Sequence, residues 1–134
     1  MAYQGYLIKI NGVALPYSFM RAETYKVTKH GQDLDSYRDA NGVLHRTALE
    51  HFVAKVEFET PPLKTNEDIK ELMSYIKPQY IMPTEKRLSV EVYIPEDDDY
   101  MTQDMYIPDI DFEIYYADAN VIKYNPVRIA FIGY

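Results

Sequence analysis

Carboxylates are the side chains with the most scope for chemistry in this sequence, and they crowd into one stretch. Between Ile94 and Tyr116 stand Glu96, Asp97, Asp98, Asp99, Asp104, Asp109, Asp111 and Glu113, with no basic residue among them. Hard cations such as calcium want several carboxylate and carbonyl oxygens, but an EF-hand loop needs alternating Asp positions, a Gly and a distal Glu. Neither Asp97–Asp104 nor Asp33, Asp35, Asp39 and Asn41 has that spacing. Two converging carboxylates could hydrolyse a glycoside, yet nothing here selects a pair. The three histidines, His30, His45 and His51, form no His-x-x-x-His or Glu-x-x-His pattern, so zinc and di-iron sites lack support. Ser18, Ser36, Ser74 and Ser89 sit in no Gly-x-Ser-x-Gly elbow. There is no phosphate loop and no dinucleotide fingerprint. The chain has no Cys, which removes thiolate ligands, cysteine nucleophiles and disulfides together and fits a reducing compartment. The expectation is a non-enzymatic protein with no catalytic residues, no metal and no cofactor.

Charge gives the acidic stretch a different use. Residues 1–95 hold 12 acidic and 12 basic side chains, and residues 96–122 hold 9 acidic and none basic. The net charge of -7 therefore comes from one segment. Tyr100, Met101, Met105, Tyr106 and Ile107 lie within it, and they are too apolar for a disordered acidic tail. The reading is a projecting arm over residues 95–109. Its bulky residues would pack on a neighbour, while Glu96, Asp97, Asp98, Asp99, Asp104, Asp109 and Asp111 would form an acidic surface. A second candidate contact is the stretch Tyr37–Arg46, where Tyr37, Arg38, His45 and Arg46 flank Asn41-Gly42 with charge opposite to the arm. The 14 Tyr with no Trp point the same way, because interfaces enrich this large amphipathic ring. A homo-oligomer is expected. Binding to a phosphate backbone needs clustered Lys and Arg, so no direct nucleic-acid contact is expected. No apolar run reaches the length of a membrane span, and no secretion signal opens the sequence.

The elements that must position these residues are mostly strands. A hairpin is expected over residues 6–15 about Asn11-Gly12, and another over 37–46 about Asn41-Gly42. A strand over Ala22–Lys29 should break at Gly31. Glu50–Thr60 alternates Phe52, Ala54, Val56 and Phe58 against polar residues. Thr65-Asn66-Glu67-Asp68 resembles a capping box, and Ile69, Leu72, Met73 and Ile76 follow at helical spacing, so one helix is expected over 66–77. Leu88–Ile94, Ile110–Tyr116 and Val127–Phe131 alternate as half-buried strands. This is one domain, 1–134, mainly β (α+β): a sandwich or barrel-like sheet of about seven or eight strands with one packed helix.

That order of early hairpins, the strand Glu50–Thr60, the single helix and later strands with a long loop resembles tail-tube-type structural proteins of bacteriophages and related injection machines. The stretch YRDANGVLHR, Tyr37–Arg46, is similar to small tail proteins of prophages in Gram-positive bacteria. The resemblance implies a ring-forming virion component, made in the bacterial host cytoplasm and built into the tail beside other tail proteins. It implies no catalytic residues. An acidic channel would repel DNA phosphates and let the polyanion slide. Tube subunits usually carry their long inter-ring loop early in the chain, whereas the arm expected here is late, which leaves room for a tail-tip, baseplate or tail-completion component. The alternative is a monomeric β-sandwich module binding a carbohydrate or protein ligand through exposed Tyr and Asp.

Overall fold

A computed structural model describes residues 3–134, leaving aside the side chains of His30, Gln32, Leu49 and His51. His51, which the alternation of Glu50–Thr60 sets on the face opposite Phe52, therefore lies outside the described side chains. The chain is mainly β with one α-helix. Its strands are β1 (Ile8–Ile10), β2 (Val13–Ala14), β3 (Lys26–Arg38), β4 (Leu44–Glu59), β5 (Lys64–Thr65), β6 (Arg87–Ile94), β7 (Asp99–Tyr106), β8 (Ile114–Ala117), β9 (Ile122–Tyr124) and β10 (Arg128–Gly133). Helix α1 spans Asn66–Ser74. Seven strands form one antiparallel sheet in the order β2-β1-β6-β7-β10-β4-β3, and β5-β9-β8 form a small second sheet.

The large sheet buries one face. Leu88, Val90, Val92 and Ile94 of β6 alternate with half-buried neighbours, as a strand with one covered face must. They join Ile8, Ile10, Val56, Phe58, Met105, Ile129 and Phe131 in the core. Helix α1 lies over this face with Ile69 and Leu72 buried, its stripe at the 3.6-residue period. Thr65 starts the helix by accepting from the Asp68 backbone N–H (3.3 Å), and the Asp68 carboxylate accepts from the Thr65 N–H (3.1 Å). This reciprocal cap satisfies two orphan donors. The helix ends at Ser74 rather than residue 77, because Pro78 cannot donate to a continuing helix, and a 3₁₀ turn, Lys77–Gln79, follows.

The sheet curls until β3 comes alongside the end of β6. Among the described residues no ladder joins them; side chains close the seam. The Tyr25 hydroxyl donates to the Tyr93 carbonyl (2.9 Å), and Lys29 Nζ reaches Asp97 Oδ2 (3.3 Å). The result is a barrel-like sheet with one side-chain seam. Gln103 does similar work inside it. Where β10 ends, the Gln103 amide donates to the carbonyls of Phe52 (3.1 Å) and Tyr134 (3.2 Å) and accepts from the Ala54 N–H (3.1 Å). It thereby bridges β7 to β4. A Cβ at Gly133 would collide with the Gln103 oxygen and lie 3.1 Å from Val53 Cγ1. Gly133→Ala should expel that amide and leave the backbone N–H of Ala54, a fully buried residue, without this partner, lowering stability by roughly 1–3 kcal/mol. An unchanged urea midpoint would refute this.

Three expectations need correction. Gly31 does not end a strand: it pairs with Phe52, and β3 runs on to Arg38 with register shifts between Gly31 and Asp33 and between Asp33 and Asp35. A Cβ there would lie 3.3 Å from Phe52 Cε1, so the missing side chain makes room for that ring. Residues 95–109 are not a projecting arm. Pro95–Asp98 make the turn of a hairpin, with Asp98 N–H donating to Pro95 O (3.2 Å), and β7 lies in the middle of the sheet between β6 and β10. Finally, Ile110–Phe112 are not in a strand, and β8 is exposed along its whole length.

Candidate assembly interface

The projection that does exist lies early in the chain. β10 pairs with β4 only from Lys55 to Glu59, whereas β3 pairs with β4 all the way to Leu44. Beyond the sheet, Gly31–Arg38 and Leu44–Phe52 are therefore a two-stranded ribbon. At the ordinary rise of a strand, the run from Phe52 to Leu44 carries the tip roughly 25 Å out. Among its described side chains, Leu34 is 72% exposed, Tyr37 58%, Val43 55% and Leu44 44%. A two-stranded ribbon is marginal in water by itself.

The tip is tightly built. Gly42 N–H donates to Asp39 O (3.0 Å) and Asp39 N–H to Val43 O (3.0 Å), with Gly42 at φ +81°. This is a turn closed by a left-handed glycine, which suits a three-residue hairpin loop. The Asp39 carboxylate accepts from the N–H groups of Asn41 (2.9 Å) and Val43 (3.0 Å) and contacts His45 Nε2 (2.9 Å). The bond to His45, and next that to Val43, hold the Asp39 carboxyl below the ordinary carboxylate range. Tyr37 stacks on His45 with centroids 4.8 Å apart. Arg38 donates to Gly42 O (2.9 Å), and Arg46 grips Asp33 (2.8 Å), holding the Asp33 carboxyl low by that hydrogen bond. Tyr37, Arg38, His45 and Arg46 thus lie together on the exposed ribbon.

The other expected contact residues lie elsewhere. Met105 (0% exposed) and Ile107 (2%) are in the core and cannot touch a neighbour. Met101 is half-buried against the core. Tyr100 stacks on Tyr6 (4.5 Å between centroids), donates to Tyr6 O (2.8 Å) and accepts from Gln4 N–H (2.8 Å). Tyr93 lies edge-on to both Tyr3 and Tyr100. Tyr6 donates to Glu91, which pushes its own hydroxyl pKa up to about 12. These rings pin residues 3–7 to the sheet. Tyr106 lies against Tyr134, whose ring also carries Arg87 at 4.2 Å. Much of the tyrosine content is therefore spent inside one chain.

Nor do the acidic residues make one surface. Asp97 pairs with Lys29 (3.3 Å), Asp104 with Arg87 (2.9 Å) and Asp109 with Lys86 (3.6 Å). Asp98 accepts from the Tyr93 hydroxyl (2.6 Å). Asp99 stands opposite Ile94 and Asp104 opposite Ser89, which places them on opposite faces of the sheet. Glu96 and Asp98 stay on the exposed turn, and Asp111 on the exposed stretch after Asp109. The partners of these carboxylates are distant in sequence, so the segment looks unrelieved only when read along the chain. Among the described residues no cluster of His, Asp or Glu could hold a metal ion.

The sequence profile of a family of unknown function, DUF6711, matches residues 1–134. The chain belongs to that family. No curated protein matches it. Among solved structures, this DUF6711 chain is similar to a chain in the tail of an empty gene transfer agent (GTA) particle, a phage-like particle refined helically with C6 symmetry. The TM-score is 0.56 and the identity 16%, over 99% of this chain and 95% of the other. At that identity the likeness is one of fold.

Proposed function

We propose that this protein is a non-enzymatic structural subunit of a phage-like tail and assembles with copies of itself into rings or a tube. The observation that carries the reading is the fold shared along nearly the whole of both chains with a component of a sixfold helical tail. The ribbon supports it. Tube subunits that the sequence resembles hold their long inter-ring loop early in the chain, and the projection here, residues 31–52, is early. The late arm that left room for a tail-tip, baseplate or tail-completion component is a strand of the sheet instead, which favours the tube reading. In this role the sheet contributes to the wall and the ribbon reaches an adjacent subunit, beside other tail proteins in the virion.

Light scattering across protein concentration and salt, followed by imaging of the particles, tests this directly. Rings or tubes are expected as concentration rises. A strict monomer at every concentration, joined to saturable glycan binding, would favour the single-copy binding module instead.

A further inference from the structure

We propose that residues 111–117 of one copy lie along the lysine-bearing side of helix α1 on another copy. This inference rests on the self-assembly reading and adds a second contact, away from the ribbon. The offered segment is exposed at every residue. Phe112 (43%), Ile114 (56%), Tyr115 (65%) and Tyr116 (48%) hold large side chains in water in close succession. Single exposed apolar residues need no explanation, but a contiguous run marks a contact. The receiving surface is a hollow of about 380 Å³ along α1. Ile69, Met73 and Pro78 give it an apolar lining, Lys70 and Lys77 give it charge, and no carboxylate lines it. On each copy the two surfaces adjoin, because Met73 and Lys77 share a further hollow with Ile110 and Phe112.

Charge selects the occupant. Residues 111–117 carry Asp111 and Glu113 and no basic residue. Among the described residues these two carboxylates have no ion pair and no side-chain hydrogen bond, and neither have Lys70 and Lys77. Asp109 differs, since Lys86 holds it (3.6 Å), and it is left out of the contact. Within its own chain β8 is held by β9, so its carboxylates stay unpaired until another copy arrives. The spacings also agree. Lys70 and Lys77 are seven residues apart, about 10 Å along a helix, and Asp111 and Glu113 are at most about 7 Å apart. The flexible four-carbon stem of lysine spans the difference. Opposed charges about an apolar middle set register and partner choice. A seven-residue segment covers far less than the ~800 Å² per partner of a stable interface. It therefore holds only where the ribbon already joins the copies, as a second site that gains from the first.

The sequence has no native Cys, so a disulfide reports only the intended contact. Tyr115 and Ser74 are both exposed, and Tyr115→Cys and Ser74→Cys should each fold as the parent does. The two purified variants are mixed under assembling conditions and oxidised, and the products are resolved without reductant. The expected result is a mixed disulfide at least tenfold above either self-linked product. Adding Lys70→Glu to the Ser74→Cys partner should weaken it several-fold, and adding Glu113→Lys to the Tyr115→Cys partner should then restore it. If no mixed disulfide forms, or if it ignores both charge reversals, the contact is overturned. If that happens while the parent still assembles, the self-assembly reading stands alone. A parent that stays monomeric under the same conditions sinks both.

Discussion

Replacing residues 32–51 with a two-residue Asn-Gly turn should leave a folded protein that no longer assembles. Gly31 and Phe52 are directly paired, so a tight turn closes the remaining strands in register. Among the described side chains of the excised ribbon, Leu34, Tyr37, Val43 and Leu44 are all exposed. Its loss removes ladder bonds that are solvated on both faces. The thermal midpoint should therefore move by only a few degrees, as for a change well under the cost of a lost core contact. Assembly should fall to nothing detectable by light scattering at concentrations where the parent forms particles. A shortened protein that assembles like the parent would sink the ribbon's role.

The opposite deletion should fail in the opposite way. Removing residues 96–107 takes out β7, which pairs along its length with β6 and at Met105 and Tyr106 with β10. It also removes Met105 and Ile107 from the core and the Gln103 bridge. Losing one buried aliphatic side chain costs about 2–5 kcal/mol, and a domain has about 5–15 kcal/mol in all. With two such side chains and a central strand gone, no cooperative melt should remain by circular dichroism, and the dye ANS should bind the exposed apolar surface. A sharp transition near that of the parent would mean that β7 is dispensable.

These two segments also show what the sequence discloses and what it hides. β6 is legible because Leu88, Val90, Val92 and Ile94 alternate cleanly over one buried face. Helix α1 is legible because its cap and its apolar stripe are both local. The turn after β1 is legible because Asn11 (φ +49°) and Gly12 (φ +83°) both take the left-handed conformation that such a turn demands. β7 is hidden because its core-facing positions include Asp99 and Gln103 beside Met101 and Met105. Asp99 sits at the hairpin end, and Gln103 replaces a missing ladder. Asp104 is relieved by Arg87, seventeen residues away in sequence, and no reading along the chain weighs that contact. The ribbon is hidden for the converse reason. With its described side chains largely exposed, its strands need no alternation, and a solvated polar strand has the composition of a loop. Of the candidate interface, Tyr37, Arg38, His45 and Arg46 were legible through the Asn-Gly turn between them.

The register shifts along β3 have a consequence for how copies meet in time. β3 is the edge strand of its sheet, and a long flat edge invites indiscriminate strand pairing. The shifts between Gly31 and Asp35 kink and twist that edge, and Asp33 and Asp35 place charge along it. Random edge-to-edge growth is thereby disfavoured, and in the self-assembly proposed above copies would join through fitted surfaces instead. Polymerisation of that kind is limited by nucleation: a pool of single subunits persists through a lag and then elongates quickly from the first correct seed.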